Sequence, residues 1–157
     1  MFFKNILVPY DESDHAKSAV HIALGLASPY PEAKVHVVTV IPSAALPNPT
    51  LMGEGFDVPY ALGDPDSYER IMNSVVQRAS ADVQDVVDQS RDDARCRIVA
   101  DAVIAGSPVE GIADYVTSHD IDLVVMGRRG LGALRGMLGS VSFGVLRSVD
   151  VPVLTVK

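Results

Sequence analysis

The densest concentration of chemistry in this sequence lies in fourteen residues near its C-terminal end. Gly127-Arg-Arg-Gly-Leu-Gly-Ala-Leu-Arg-Gly-Met-Leu-Gly-Ser140 holds five glycines and runs into a segment with helical spacing. Glycines let a backbone approach a ligand closely and adopt positive φ. The N–H groups of Ser140, Val141 and Ser142 would then lie at the positive end of the new helix, facing an anion. The Ser140 and Ser142 hydroxyls offer two more donors. From Leu123 through Val149 there is no acidic residue, while Arg128, Arg129, Arg135 and Arg147 all fall inside that window. The chain as a whole has thirteen basic and twenty acidic residues, a net charge of −7. Such a chain repels nucleic acid and anionic membranes, so one basic stretch within it suits a small anion rather than a polyanion. The plainer alternative is a flexible loop with a serine helix cap and solvated arginines.

Elements that position this segment can be read from apolar periodicity. Asn5-Ile-Leu-Val-Pro9 is short, β-branched and unbroken, as expected of a strand buried on both faces. Ser13 can cap a helix whose apolar residues fall at Ala16, Ala19, Val20, Ala23 and Ala27. Val35 to Ile41 reads as a second strand. A long helix from about Ser67 to Arg91 has Ile71, Val75, Ala79, Val83, Val86 and Val87 on its apolar face. Arg97 to Ile104 is a third strand. Ser107-Pro108-Val109-Glu110 combines a cap, a first-turn proline and the glutamate of a capping box. Leu123 to Met126 and Val151 to Val156 supply the fourth and fifth strands, with a short helix from near Ser140 between them.

The alternation implies one α/β domain over residues 1–157: an open, five-stranded parallel sheet, doubly wound, with helices on both faces. The expected order is the Rossmann-like 3-2-1-4-5. Ligands of such sheets sit beyond the carboxyl ends of the strands, where strand order reverses. The turn after the first strand, Pro9-Tyr10-Asp11-Glu12-Ser13, has no glycine, unlike an ordinary dinucleotide-binding domain, and no GxxxxGK[ST] pattern is present. Residues 42–66 hold five prolines and three glycines and are expected to form a mobile connection, either a lid or partner surface or a tolerated insertion.

Over essentially its whole length the chain resembles the universal stress protein family. Ile6-Leu-Val-Pro-Tyr-Asp-Glu-Ser13 is similar to the family's first strand and aspartate turn. Gly127-x2-Gly130 followed by Gly139-Ser140-Val141-Ser142 resembles the signature of its ATP-binding branch, and Asp150-Val-Pro-Val-Leu-Thr-Val156 its dimer-forming last strand. The resemblance implies that Asp11 contacts the ribose or adenosine end, and that Pro9, Tyr10, Val40 and Met126 line an adenine pocket. It implies that Gly127, Arg129, Gly130, Gly139, Ser140, Val141 and Ser142 hold ribose and phosphates. ATP, with or without Mg²⁺, is the expected ligand, with ADP and AMP as variants. One departure stands out: that branch has nine residues between its second and third glycines, whereas Leu131 to Leu138 makes eight. Gly132 and Gly136 can absorb the shortening, or the glycine pair can shift away from the helix start.

The function so implied is a nucleotide-responsive stress regulator, a homodimer through residues 151–156 with higher oligomers and a protein partner open. The alternatives are a family member that works through its dimer surface without nucleotide, and a slow ATPase. No catalytic residue is assigned: His15, His21, His36 and His119 have neither metal-ligand spacing nor a nucleophile, and no GxSxG elbow is present. His36, in a strand, is expected to be packed or hydrogen-bonded. One cysteine, Cys96, and no visible signal peptide or membrane-length apolar run point to the cytoplasm.

Overall fold

The computed structural model describes residues 3–45, 65–90, 95–129 and 138–157. Its elements run β1 (Asn5–Pro9), α1 (Asp14–Ala27), β2 (Lys34–Pro42), a 3-10 turn at Ser43–Ala45, α2 (Pro65–Ser90), β3 (Arg97–Ala105), α3 (Pro108–Ser118), β4 (Leu123–Gly127), α4 (Ser140–Ser148) and β5 (Val153–Val156). All four strand pairings are parallel and the order is β3-β2-β1-β4-β5, as the sequence pattern requires.

The sheet separates two apolar layers by simple alternation of side chains. Ile6 and Val8 of β1, Val35 and Val37 of β2, and Leu123 and Val125 of β4 face α1 and α2. Leu7, Val38, Val124 and Met126 point the other way, onto Ile112, Tyr115 and Val116 of α3 and Val145 of α4. β1 lies at the centre and its Ile6, Leu7 and Val8 are fully enclosed. An unbroken apolar run is what a strand buried on both faces demands, since every side chain meets a helix.

Two helix starts are fixed by serine. The Ser13 hydroxyl accepts from the Ala16 N–H at 3.1 Å and caps α1. The Ser107 hydroxyl accepts from the Glu110 N–H at 3.2 Å, with Pro108 in the first turn of α3. Regular structure reaches further into the proline-rich connection than 42–66 implied. Pro42 ends β2 opposite Ala105, and Pro65 opens α2, where its missing N–H costs nothing. The remainder of that expected loop, 46–64, lies outside the described residues.

Candidate functional site

Strand order reverses between β1 and β4, which pair centrally while their crossovers leave in opposite directions. Beyond their carboxyl ends two turns face one another. The first follows β1. Tyr10 extends the ladder by donating its N–H to the Val38 carbonyl at 2.9 Å, and Thr39 Oγ1 donates to the Tyr10 carbonyl at 3.2 Å. Asp11, exposed, accepts from the Ser13 N–H at 3.2 Å and hydroxyl at 2.6 Å, both at Oδ1. Glu12 between them takes φ 65°, a left-handed conformation that a non-glycine residue adopts at a cost. The carboxylate of Asp11 is thereby held at the lip of the crevice by the same serine that starts α1.

The second turn follows β4. A Cβ at Gly127 would lie 2.8 Å from His15 Cβ and 3.0 Å from the His15 carbonyl carbon. Glycine at 127 therefore lets the first turn of α1 close onto β4 and bring the two turns together. The loop that follows is tied at its stem. Gly139 donates its N–H to the Arg128 carbonyl at 2.9 Å. Ser142, buried, directs its hydroxyl at the carbonyls of Gly127 (3.0 Å) and Arg128 (3.1 Å). The single Ser142 proton is thus committed to the stem, which removes it as the free anion donor that the sequence suggested. Ser140, by contrast, is exposed, and Val141 half-buried.

Gly139 occupies the N-cap of α4 and has no side-chain acceptor, so among the described residues no side chain caps the first N–H groups of that helix. Arg128 and Arg129 flank this helix start: the Cβ position of Gly139 is 3.4 Å from the Arg128 carbonyl oxygen and from Arg129 Cα. Arg128 Nε is buried without a hydrogen-bond partner among the described residues. A helix start without a side-chain cap, beside the backbone of two arginines, is the kind of place where a phosphate can be received.

The residues expected to line a base pocket divide between the faces. Val40 and Met126 share the α3/α4 layer, and alternation along β1 puts Pro9 on that side too. They lie toward the ends of three adjacent strands as an apolar floor, with Met126 buried and Val40 half-buried against Gly111 of α3. Tyr10 points the other way, buried with Val83 and Val87 of α2. Burial, then the carboxylates of Glu12, Asp11 and Asp82, raise its hydroxyl pKa. Tyr10 can meet a ligand here only through its backbone. Gly130 lies outside the described residues. Sequence spacing gave no role to His15, which packs on Gly127, and Arg128 entered only as one of four arginines in the acid-free stretch. Among the described residues no cluster of three or more His, Cys, Asp or Glu forms a metal site, and no helix is long and apolar enough to cross a membrane.

Comparison with known proteins agrees with this fold. Residues 2–157 match the model of the universal stress protein family. A universal stress protein of Thermus aquaticus is 32% identical over 160 residues, covering 99% of each chain. Among solved structures, the protein MJ0577 superposes with a TM-score of 0.75 at 22% identity, over 100% of this chain and 97% of its own. A universal stress protein in complex with cAMP gives 0.66 at 22%, covering 99% and 98%. One from Archaeoglobus fulgidus in complex with dAMP gives 0.57 at 20%, covering 100% of both. At those identities the likeness to solved structures carries the fold, while the family rests on the full-length match and on the relative. The chain belongs to the universal stress protein family.

Proposed function

We propose that this protein binds an adenine nucleotide, ATP first among them, in the crevice between the Asp11 turn and the start of α4, and acts as a nucleotide-responsive stress regulator. The observation that carries this reading is the N-terminus of α4, without a side-chain cap and beside the backbone of Arg128 and Arg129, in a stretch without acidic residues. Phosphates take the N–H groups of α4 and the arginines. The apolar floor of Pro9, Val40 and Met126 takes the base, and Asp11 accepts from the ribose hydroxyls. Family members of this fold in complex with cAMP and dAMP support an adenine ligand. Mg²⁺, where present, is carried by the phosphates, because the described residues offer no cluster of ligands for it. The same site accepts ADP or AMP with fewer phosphate contacts. Regulation follows if ATP prefers one arrangement of the dimer surface or of residues 42–66, since binding without such a preference shifts nothing. A cytoplasmic homodimer paired through β5, reading out to a protein partner, is the matching assembly.

The test is to purify the protein without added nucleotide, denature it, and identify what is released by mass spectrometry, with a titration of the stripped protein against ATP and magnesium. Ser140→Glu puts a carboxylate on an exposed position of the helix start. It favours the α4 dipole, yet repels phosphate by ~1.4 kcal/mol, about tenfold in affinity. Bound adenine nucleotide, or saturable ATP binding weakened in Ser140→Glu with undiminished melting temperature, is the expected result. An empty protein indifferent to ATP favours the second reading, a module that works through its dimer surface. The committed Ser142 hydroxyl is the observation on its side.

A further inference from the structure

We propose that His36 and Tyr115 form a proton-operated latch that holds the C-terminal half of α3 on the sheet and lets it go on acidification. The two residues are 79 apart in sequence and meet at the other end of the domain from the glycine turn. His36 is 6% exposed. Its Nδ1 lies 3.1 Å from the Tyr115 hydroxyl, which donates to Asp101 Oδ2 at 3.3 Å. With that proton given to Asp101, the tyrosine oxygen accepts, so His36 carries its hydrogen on Nδ1. Nε2 is then a bare acceptor, buried and without a partner among the described residues.

Protonation of Nε2 would create a buried cation whose new N–H has nothing to bond, a far greater cost than an unpaired neutral nitrogen. The charges around it do not relieve that cost. His119, at the C-cap of α3, stacks flat on Tyr115 with ring centroids 3.7 Å apart and stands 5.8 Å from His36 edge-on. Lys34 on β2 and Arg97 on β3 add positive charge, β1 places Leu7 beside it, and among the described residues Asp101 on β3 is the carboxylate that opposes them. Burial first, then His119 and Lys34, hold the His36 pKa below the ordinary imidazole value, against the pull of Asp101.

With α3 docked His36 is neutral. With α3 lifted it takes a proton at about 6.5, the ordinary imidazole value. Docking is therefore at full strength above that pH and weakens as pH falls through it, by up to about tenfold per unit until the docked form itself protonates. The consequence is not confined to the latch. α3 presses Gly111 onto Val40 and Ala105, and Val109 onto Gly144 of α4. Loosening α3 therefore reaches both the sheet floor and the helix that opens the crevice.

The test is a nitrogen-15 imidazole titration of the full chain, with amide hydrogen exchange at pH 7.5 and 5.5 corrected for intrinsic rates. His36 is expected to remain a neutral Nδ1–H imidazole at pH 6. Residues 112–119 are expected to lose about tenfold in protection at pH 5.5 while α1 keeps its own. His36→Leu should abolish that loss. An imidazolium at position 36 in the folded protein at pH 6 overturns the proposal. So does protection in α3 that merely follows α1, or a loss that persists in His36→Leu. Should that variant fail to fold, the wild-type titration and exchange decide alone.

Discussion

Gly127 and Ser142 sit in the same turn and answer different needs. Gly127 is small because His15 of α1 stands where a Cβ would go, its Cβ at 2.8 Å and its backbone carbonyl carbon at 3.0 Å. Backbone cannot move aside as a flexible side chain can. Gly127→Ala should therefore cost about 1–3 kcal/mol with or without a ligand. A variant at this position reports on packing before it reports on binding, and a lost affinity there would not identify the site. Ser142→Ala removes the hydroxyl that ties α4 to the Gly127 and Arg128 carbonyls. The cost should be about 1–2 kcal/mol, roughly 2–8 °C in melting temperature for a domain of this size. Thermal melts of the nucleotide-free protein check both; an unchanged Ser142→Ala melt would mean the stem is held by the Gly139 N–H alone. Sequence spacing made the glycine cluster and the serine visible. It could not assign their partners, because His15 and the Gly127 and Arg128 carbonyls reach them through the fold, not along the chain.

At the scale of elements, packing distances decide what a glycine is worth. Gly25 on α1 is exposed, and a Cβ there would meet nothing within 4 Å. Gly25→Ala should stabilise the protein by about 0.5–1 kcal/mol through helix propensity. Gly111 on α3 gains the same propensity, yet its Cβ would strike Val40 Cγ1 at 2.6 Å and Ala105 Cβ at 2.9 Å. Overpacking of about 1–3 kcal/mol outweighs the propensity gain, so Gly111→Ala should be net destabilising. Denaturant unfolding of the two variants tests whether one chemical change carries opposite signs on two helices. The helices themselves were legible in advance. Ser13 and Ser107 cap where a side-chain acceptor precedes an apolar period, and unbroken runs such as Ile6 to Val8 mark strands covered on both faces. Less legible were the long-range polar contacts. His36 reads as a packed strand residue, which it is, but its bond to Tyr115 joins β2 to a helix 79 residues later, and no local spacing encodes that. The two faces of the β1 turn were also hidden, so Tyr10 read as a pocket residue when alternation buries it beneath α2.

For the whole molecule, the two edges of the sheet are unlike. β3 is long, mixed in character and carries Arg97 and Asp101, charges of the kind that discourage pairing with another sheet. β5 is four residues, Val153-Leu-Thr-Val156, without a charge, and its Leu154 is 41% exposed. α4, which leads into it, exposes Phe143 and Leu146 as well. An uncharged edge with open N–H and C=O groups next to exposed apolar side chains is unfavourable in a monomer, and a second copy of the same edge satisfies both. Burying a leucine fully gains about 1.5–3 kcal/mol, and a two-fold pairing counts each substitution twice. Leu154→Lys should therefore weaken the proposed dimer by about 3–6 kcal/mol, at least a hundredfold in the dissociation constant. It should leave the monomer's stability nearly unchanged, since Leu154 contributes little to either core layer. Sedimentation of both forms at micromolar concentration tests the pairing. A wild-type dimer beside a monomeric Leu154→Lys supports β5 as the interface, whereas a wild-type monomer, or a variant that stays dimeric, moves the interface to another face.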